Sequence, residues 1–553
     1  MKPFNKAEQL FYEALQNIKE NLYAEAEEKL KKSNILQPER KSIILNLSSV
    51  LIKLKKINEA KTVLDNAIAK NSEDLDYLLN KITILMIEKK FLEGIEILEN
   101  INKINPEIAE VYAKLGSCYS SVGNIEKSIE NYERSFDLDK NYKTLSSLIF
   151  CSNFKKDYSV DKNNELINKF DFFVPRTNKV SNFYNYKPNT KEINIGFISG
   201  DLRKDHPIGN IVYDFLKNLR NNFKLYAYYN NEEDNQITND FKILFNKWEN
   251  IEKSDDLNVT KKIRQDNIHV LVDLSGHTNK NRLPIFANKA APLQITWSGY
   301  LNSTGVTEID YIIGDPCVTP LTEKSKFSEK ILQMPNIWNS FSVPQYNNLK
   351  INTETPMLKN KFITFGAFHQ IKKINENVIK LWSKILLNTS HSLIIIRAPE
   401  LDDKIIKDKL YNQFSIHGID SSKLILEGST SRENLLSEYN KIDIFLDTFP
   451  YNGGSTSFEC AFMGVPMLTL KGNRFLSRCG ESINTNLGMH EWIANDQEEY
   501  YKKAVKFNEN VDNLNLIRKN LHSKAINSPL FDSKKFAKDF EIIIKNLLFT
   551  HLK

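Results

Sequence analysis

Residues 442–464, IDIFLDTFPYNGGSTSFECAFMG, decide the fold of this chain. A buried-strand run (Ile442, Ile444, Phe445, Leu446) ends at Asp447-Thr448, turns through Pro450-Tyr451-Asn452-Gly453-Gly454, and restarts as a helical pattern capped by Ser455 or Thr456. Strand, glycine turn and helix start together make a seat for an anion. Unpaired backbone N–H groups and the positive end of the helix dipole face outward there, and glycines let a phosphate come close to the backbone. Ser455 and Thr456 add two hydroxyl donors, and Glu459, one turn further on, is placed to accept from a ribose hydroxyl. The same pattern also describes an ordinary βα unit with a tight, capped loop, so the surrounding chain must decide.

Working outward, short apolar runs alternate with helical stretches. EINIGFIS, FKLYAYY, IHVLVDLS, LQITWSGY and DYIIGD read as strands, with helices expected at 207–219, 255–267 and 281–290, which predicts a parallel α/β domain over 188–345. FITFGAF, SLIIIRA, KLILEG, DIFLDT and PMLTL, with helices at 375–389, 402–415, 431–441 and 455–463, predict a second over 358–553. Residues 498–551 read as helices that pack on the second domain or return across the first. Two such Rossmann-like sheets facing each other create a cleft at the C-terminal ends of their strands, where nucleotide-type ligands bind. Polar clusters fall at those ends. Asp201 and His206 follow the first strand, Gly276-His277-Thr278 with Asn281 and Arg282 follow IHVLVDLS, and His369-Gln370-Ile371-Lys372-Lys373 follows FITFGAF. A carboxylate or imidazole can serve as general base for a hydroxyl, and lysines can neutralise a leaving phosphate.

The N-terminal quarter obeys another rule. From 6 to 142, small residues recur every 34 positions (Ala26, Ala60, Gly94, Ser128), large ones follow at a second register (Leu30, Leu64, Leu98, Tyr132), and Pro38 and Pro106 lie two periods apart. Helical hairpins cross closely at the small positions, and the large ones fill the seam with the next hairpin. This array of about four units resembles the tetratricopeptide repeat, whose arrays bind peptides or partner proteins in a concave groove, or dimerise. Asn46 and Asn80, one period apart, sit at a register expected to face that groove, where an amide can hold a peptide backbone. Residues 143–187 lose the period and read as a helical connector and an extended linker.

Composition narrows the function classes. The 553 residues are 41% hydrophobic and 26% charged, enough to bury several cores, and a net charge of +6 without basic blocks gives no nucleic-acid or anionic-membrane surface. Five scattered cysteines form no metal-type cluster and suit a reducing compartment. The start shows no secretory pattern and no run approaches the roughly 18 apolar residues of a membrane span, so the expectation is a cytoplasmic protein. P-loop, nucleophile-elbow and zinc-protease motifs are absent.

Four ordered blocks carry a family resemblance: GFISGDLRKDHPIGN from 196, DLSGHTNKNRLPIFANKAAPLQITWSGYLNSTGVTEIDYIIGD from 273, FGAFHQIKKINENVIKLW from 365, and DIFLDTFPYNGGSTSFECAFMGVPMLTL from 443. Over nearly its whole length the chain resembles the protein O-linked N-acetylglucosamine transferases and their SPINDLY relatives. The resemblance implies an α plus α/β chain, a tetratricopeptide α-solenoid followed by a GT-B glycosyltransferase of two Rossmann-like domains. It implies inverting transfer of a sugar from a nucleoside diphosphate to Ser or Thr hydroxyls of proteins, without an obligatory metal or other cofactor. It further implies that Lys373 and Gln370 contact the diphosphate and nucleotide, Ser455 and Thr456 the diphosphate, Glu459 the ribose, Arg432 the nucleotide, and Ser298-Gly299 the sugar. Asp201 or His206 is the implied base. Departures accompany these matches. Asp201 and His206 stand one residue further apart than is usual, Leu435 and Gly454 occupy positions where relatives carry histidines, and Asn210 replaces a second histidine of the His-Pro loop. These departures leave the nucleotide base open; UDP-N-acetylglucosamine is the expected donor, with GDP-fucose as the alternative. A scaffold whose transferase half has lost catalysis is the reading from another class. Homo-oligomerisation is left open.

Overall fold

The computed structural model describes residues 6–156, 159–177, 192–233 and 236–551. The chain divides into two compact units, Met1–Asp139 and Lys140–Lys553. The extended linker expected before Lys187 lies largely outside the described residues. Among the described residues, no helix is long and apolar enough to cross a membrane.

The first unit is four helical hairpins: α1 (Lys6–Lys19) with α2 (Tyr23–Leu36), α3 (Lys41–Lys53) with α4 (Ile57–Lys70), α5 (Leu75–Ile87) with α6 (Phe91–Ile104), and α7 (Ala109–Ser121) with α8 (Ile125–Leu138). The second helices begin at Tyr23, Ile57, Phe91 and Ile125, reproducing the 34-residue step of the sequence. Ala26, Ala60, Leu30, Leu64 and Leu98 are fully buried, as their registers require. Each hairpin turns through one residue with positive φ, at Asn21, Lys55, Lys89 and Gly123. The amides of Asn46 and Asn80, both half-buried, each make a hydrogen bond within the array. Asn46 Nδ2 donates to the Ser42 carbonyl at 2.7 Å, and Asn80 Nδ2 reaches back one repeat to Ser48 Oγ at 3.0 Å.

The second unit opens with α9 (Tyr142–Ser152) and α10 (Val160–Phe173), the stretch read as a connector. Two parallel sheets follow. The first contains β1 (Asn194–Ser199), β2 (Lys224–Tyr229), β3 (Lys247–Asn250), β4 (Val270–Asp273), β5 (Leu293–Thr296), β6 (Tyr311–Gly314) and β7 (Lys330–Gln333), in the order β3-β2-β1-β4-β5-β6-β7. The second contains β8 (Ile363–Phe368), β9 (Ser392–Arg397), β10 (Leu424–Glu427), β11 (Ile444–Leu446), β12 (Met467–Leu470) and β13 (Ile493–Ala494), in the order β10-β9-β8-β11-β12-β13. Every expected strand is present. The three that sequence reading did not foresee, β3, β7 and β13, are all edge strands. An edge strand is short and half-exposed, so KWEN and KILQ lack the apolar run by which buried parallel strands are read.

Of the two packings that the sequence left open for the final helix, Ser533–His551, the return across the first domain is the one adopted. Phe536 and Phe540 of that helix pack edge-on against Phe215 of α11 (Pro207–Leu219), and Phe536 stacks on Trp297. The connector likewise belongs to the cleft-bearing unit. Ser146 Oγ of α9 meets His277 Nδ1 at 2.8 Å, and Asn153 Nδ2 donates to Tyr300 Oη at 2.8 Å. Between the sheets, Ser482 Oγ donates to Asp315 Oδ2 at 2.6 Å and Arg478 pairs with Glu323 at 2.6 Å.

Candidate active site

A cleft of about 590 Å³ opens where the C-terminal ends of the two sheets face each other. Its wall includes Asp201, His206, Ser298, Gly299, Gln370, Lys373, Gly454, Ser455 and Thr456, nine of the eleven transferase-site residues singled out in the sequence. Arg432 and Glu459 are not in that wall. They pair with each other at 2.5 Å, Glu459 fully buried. Burial raises the Glu459 pKa against the pull of the Arg432 guanidinium. This pair adjoins the cleft through Tyr439, whose hydroxyl donates to the Thr456 carbonyl at 2.9 Å and whose ring meets Phe368 edge-on. Leu435 is half-buried and also outside the wall.

The glycine turn is built from within. Asp447, at the end of β11, accepts from the Gly453 amide at 2.7 Å, the Thr448 amide at 2.9 Å and Thr469 Oγ1 at 2.7 Å. A side chain at Gly453 would lie 2.2 Å from Ser457 Oγ and 3.0 Å from the His369 ring, so it would have to displace the Ser457 hydroxyl. Gly454 is the opposite case, with nothing within 4 Å of where a side chain would go. The helix cap differs from the expected one. Gly454 is the N-cap, its carbonyl accepting from Ser457 and Phe458, and Ser455 and Thr456 occupy the first turn. Their amides and hydroxyls therefore open on the cleft without having to close the helix.

Lys373 reaches this turn from the loop after β8. Its Nζ donates to the Asn452 carbonyl at 2.7 Å and lies 4.1 Å from the centre of the Tyr451 ring. Burial pushes the ammonium down to about 8, with Asp447 opposing that shift. Asp447 itself is pushed up to about 6 by burial, although its three donors and Lys373 favour the carboxylate. His369 is held neutral, down to about 3, by burial and by Lys373.

Across the cleft, His206 caps α11, Nδ1 accepting from the Ile208 amide at 3.3 Å. A neutral ring bonded this way carries its proton on Nε2, which lies 3.6 Å from Asp201 Oδ1. The additional residue between Asp201 and His206 thus leaves the pair within reach of each other. Burial lowers the His206 pKa despite the Asp201 charge. Asn210 turns its amide back to the His206 carbonyl at 3.1 Å. Ser298 has a positive φ of 68°, and its buried hydroxyl has no partner.

In the cluster after β4, Thr278 lines the cleft, whereas His277 and Arg282 bond within the fold. His277 bonds Ser146 and, through Nε2, the Thr304 carbonyl at 2.8 Å, and burial drops its pKa to about 4. Arg282 pairs with Asp256 at 2.5 Å. Sequence reading missed Phe150 and Phe154 of the connector, which line the cleft, and Asp447 as the organiser of the turn. A buried carboxylate directly before a glycine turn was the available signal for Asp447. Nothing in the local pattern signals the two phenylalanines.

Comparison with known proteins agrees with this geometry. The sequence model of glycosyl transferase family 41 matches residues 174–350 and 345–540, and a tetratricopeptide repeat model matches 109–142. The SPINDLY protein of Eustoma exaltatum subsp. russellianum, named a probable UDP-N-acetylglucosamine–peptide N-acetylglucosaminyltransferase, is 32% identical over 308 residues, 55% of this chain and 33% of that protein. The similarly named SEC protein of Arabidopsis thaliana is 27% identical over 366 residues, 64% of this chain and 36% of that one. The chain spans about a third of the length of these curated relatives. A solved point variant of the Thermobaculum terrenum O-GlcNAc transferase has the same fold, with a TM-score of 0.78 at 23% identity over 99% of this chain and 98% of that one. With two matched segments covering the cleft-bearing domains, the chain belongs to glycosyl transferase family 41.

Proposed function

We propose that the protein transfers a sugar from a nucleoside diphosphate to Ser or Thr hydroxyls of proteins, with inversion at the sugar. UDP-N-acetylglucosamine is the donor this reading favours, in keeping with the names its relatives bear. The observation that carries it is the convergence in one cleft of Lys373 with the Ser455–Thr456 helix start on one side and Asp201 with His206 on the other. Positive charge and oriented N–H groups take up the charge that develops on a leaving diphosphate, a role that needs no metal here. Across the cleft, Asp201 receives the hydroxyl proton. His206 already carries a proton on the nitrogen facing Asp201, so it orients the carboxylate rather than acting as base. The repeat array supplies the protein-binding surface, and the scattered cysteines accord with a cytoplasmic setting.

The test is transfer to a Ser/Thr peptide library, followed by mass spectrometry, with UDP-N-acetylglucosamine and GDP-fucose offered in parallel. Modification from the UDP donor, lost in Lys373→Ala, supports the reading. Transfer from GDP-fucose alone would replace the donor, and transfer from neither would leave a non-catalytic scaffold.

A further inference from the structure

Lys373 is not held by the two Rossmann-like domains alone. Phe154, 3% exposed, arrives from the segment after α9 and stacks on Tyr451 with ring centres 4.7 Å apart and planes 11° apart. Tyr451 is the ring over which Lys373 sits. Lys372 joins from the other direction, its Nζ 4.7 Å from the Phe154 ring and 4.9 Å from Phe150. The result is a ladder of Phe150, Lys372, Phe154, Tyr451 and Lys373, alternating between ring and cation except at the Phe154–Tyr451 stack. Its connector end is anchored: Asn153 bonds Tyr300 and Asn302 of the first domain, and its carbonyl accepts from Arg474 of the second at 3.3 Å.

We infer that Phe154 is a positioning residue for the diphosphate-binding lysine: stacked on Tyr451, it fixes the ring over which Lys373 holds its ammonium. This rests on the reading of Lys373 given above. A lysine carries four rotatable carbons and gives up that freedom only where its stem and head are both held. Here the Asn452 carbonyl holds the head and Tyr451 the face beneath it, and Tyr451 is packed by Phe154. The ladder also excludes water from Lys373, which accounts for the depressed ammonium. Asp447, Cys479 and Lys372 act on it, and His369 beside it is held neutral. Phe154 begins 15 residues after Asp139, where the repeat unit ends, so the residue that sets the phosphate grip comes from the stretch joining the units.

A double-mutant cycle tests this, read by calorimetric binding of UDP to the full chain. Phe154→Ala should weaken UDP binding about tenfold on the native background but less than about twofold on Lys373→Met, because the two residues act through one contact. Phe154→Tyr should restore binding, and Phe154→Leu, which keeps bulk without a ring, should not. In Phe154→Ala the alkaline fall in UDP affinity should move to higher pH as water reaches Lys373. A merely structural role would shift the thermal midpoint without moving that pH profile. Equal losses on both backgrounds, or unchanged UDP affinity in Phe154→Ala, overturns the inference. If the native protein binds neither UDP nor GDP, the functional reading beneath it falls instead.

Discussion

In the repeat array one structural position recurs four times, at Ala26, Ala60, Gly94 and Ser128, whereas in the cleft Lys373, Tyr451 and Asp201 each occur once. The array distributes its stability over equivalent seams, so losing one large residue harms its neighbours and little else. The cleft concentrates its chemistry in groups drawn from separate strands and from the connector. Its central groups are a buried carboxylate, neutral histidines and a depressed lysine, brought together from separate loops. Many of the array's charges, by contrast, sit in exposed pairs such as Lys32–Glu28, which contribute little to stability. Periodicity therefore marks what holds this protein together, and clustering of perturbed groups marks what it does.

That contrast is broken most sharply at Asp201. Asp201→Asn should lower transfer by about 10²–10⁴-fold with UDP affinity and thermal midpoint unchanged, as removal of a proton acceptor requires. Steady-state rates beside calorimetry check it, and a parallel loss of binding would move Asp201 out of the base role. Next is Leu64→Ala, which removes a fully buried seam residue of α4. It should destabilise the array by about 2–5 kcal/mol in a denaturant titration while UDP binding persists.

A third test uses pH. On the proposed reading the cationic form of Lys373 holds the diphosphate, and since burial lowers its pKa to about 8, UDP affinity should be full well below that pH and fall as pH rises through it. Lys373→Arg, charged throughout, should flatten that limb. A pH-independent affinity in the native protein would sever Lys373 from the diphosphate. The smallest effect belongs to the array. Lys89 holds the positive-φ turn position that Gly123 holds one repeat later, so Lys89→Gly should stabilise by about 0.5–1 kcal/mol, measured by thermal unfolding.

Much of this was legible in the sequence because the features are local or periodic. The 34-residue step fixed every hairpin, and the runs FITFGAF and IHVLVDLS are buried on both faces and so read as strands. Lys373, Thr456 and His206 each sit next to a strand end or helix start that the sequence declares. What escaped depends on distant packing. The sequence left the final helix with two possible partners, because the contact of Phe536 and Phe540 with Phe215 joins residues more than 300 positions apart. The stack of Phe154 on Tyr451 spans nearly as far. Asn46 and Asn80 were expected to meet a peptide because register was visible. In the structure Asn46 bonds the Ser42 carbonyl of its own helix, and Asn80 bonds Ser48 one repeat back.

The central claim is that the cleft grips a nucleoside diphosphate through Lys373, and calorimetry of UDP binding to the native protein and to Lys373→Ala tests it most directly. We expect one site per chain in the native protein and an affinity loss of about 10²-fold or more in the variant, with the thermal midpoint preserved. Equal UDP affinity in the two proteins would contradict it.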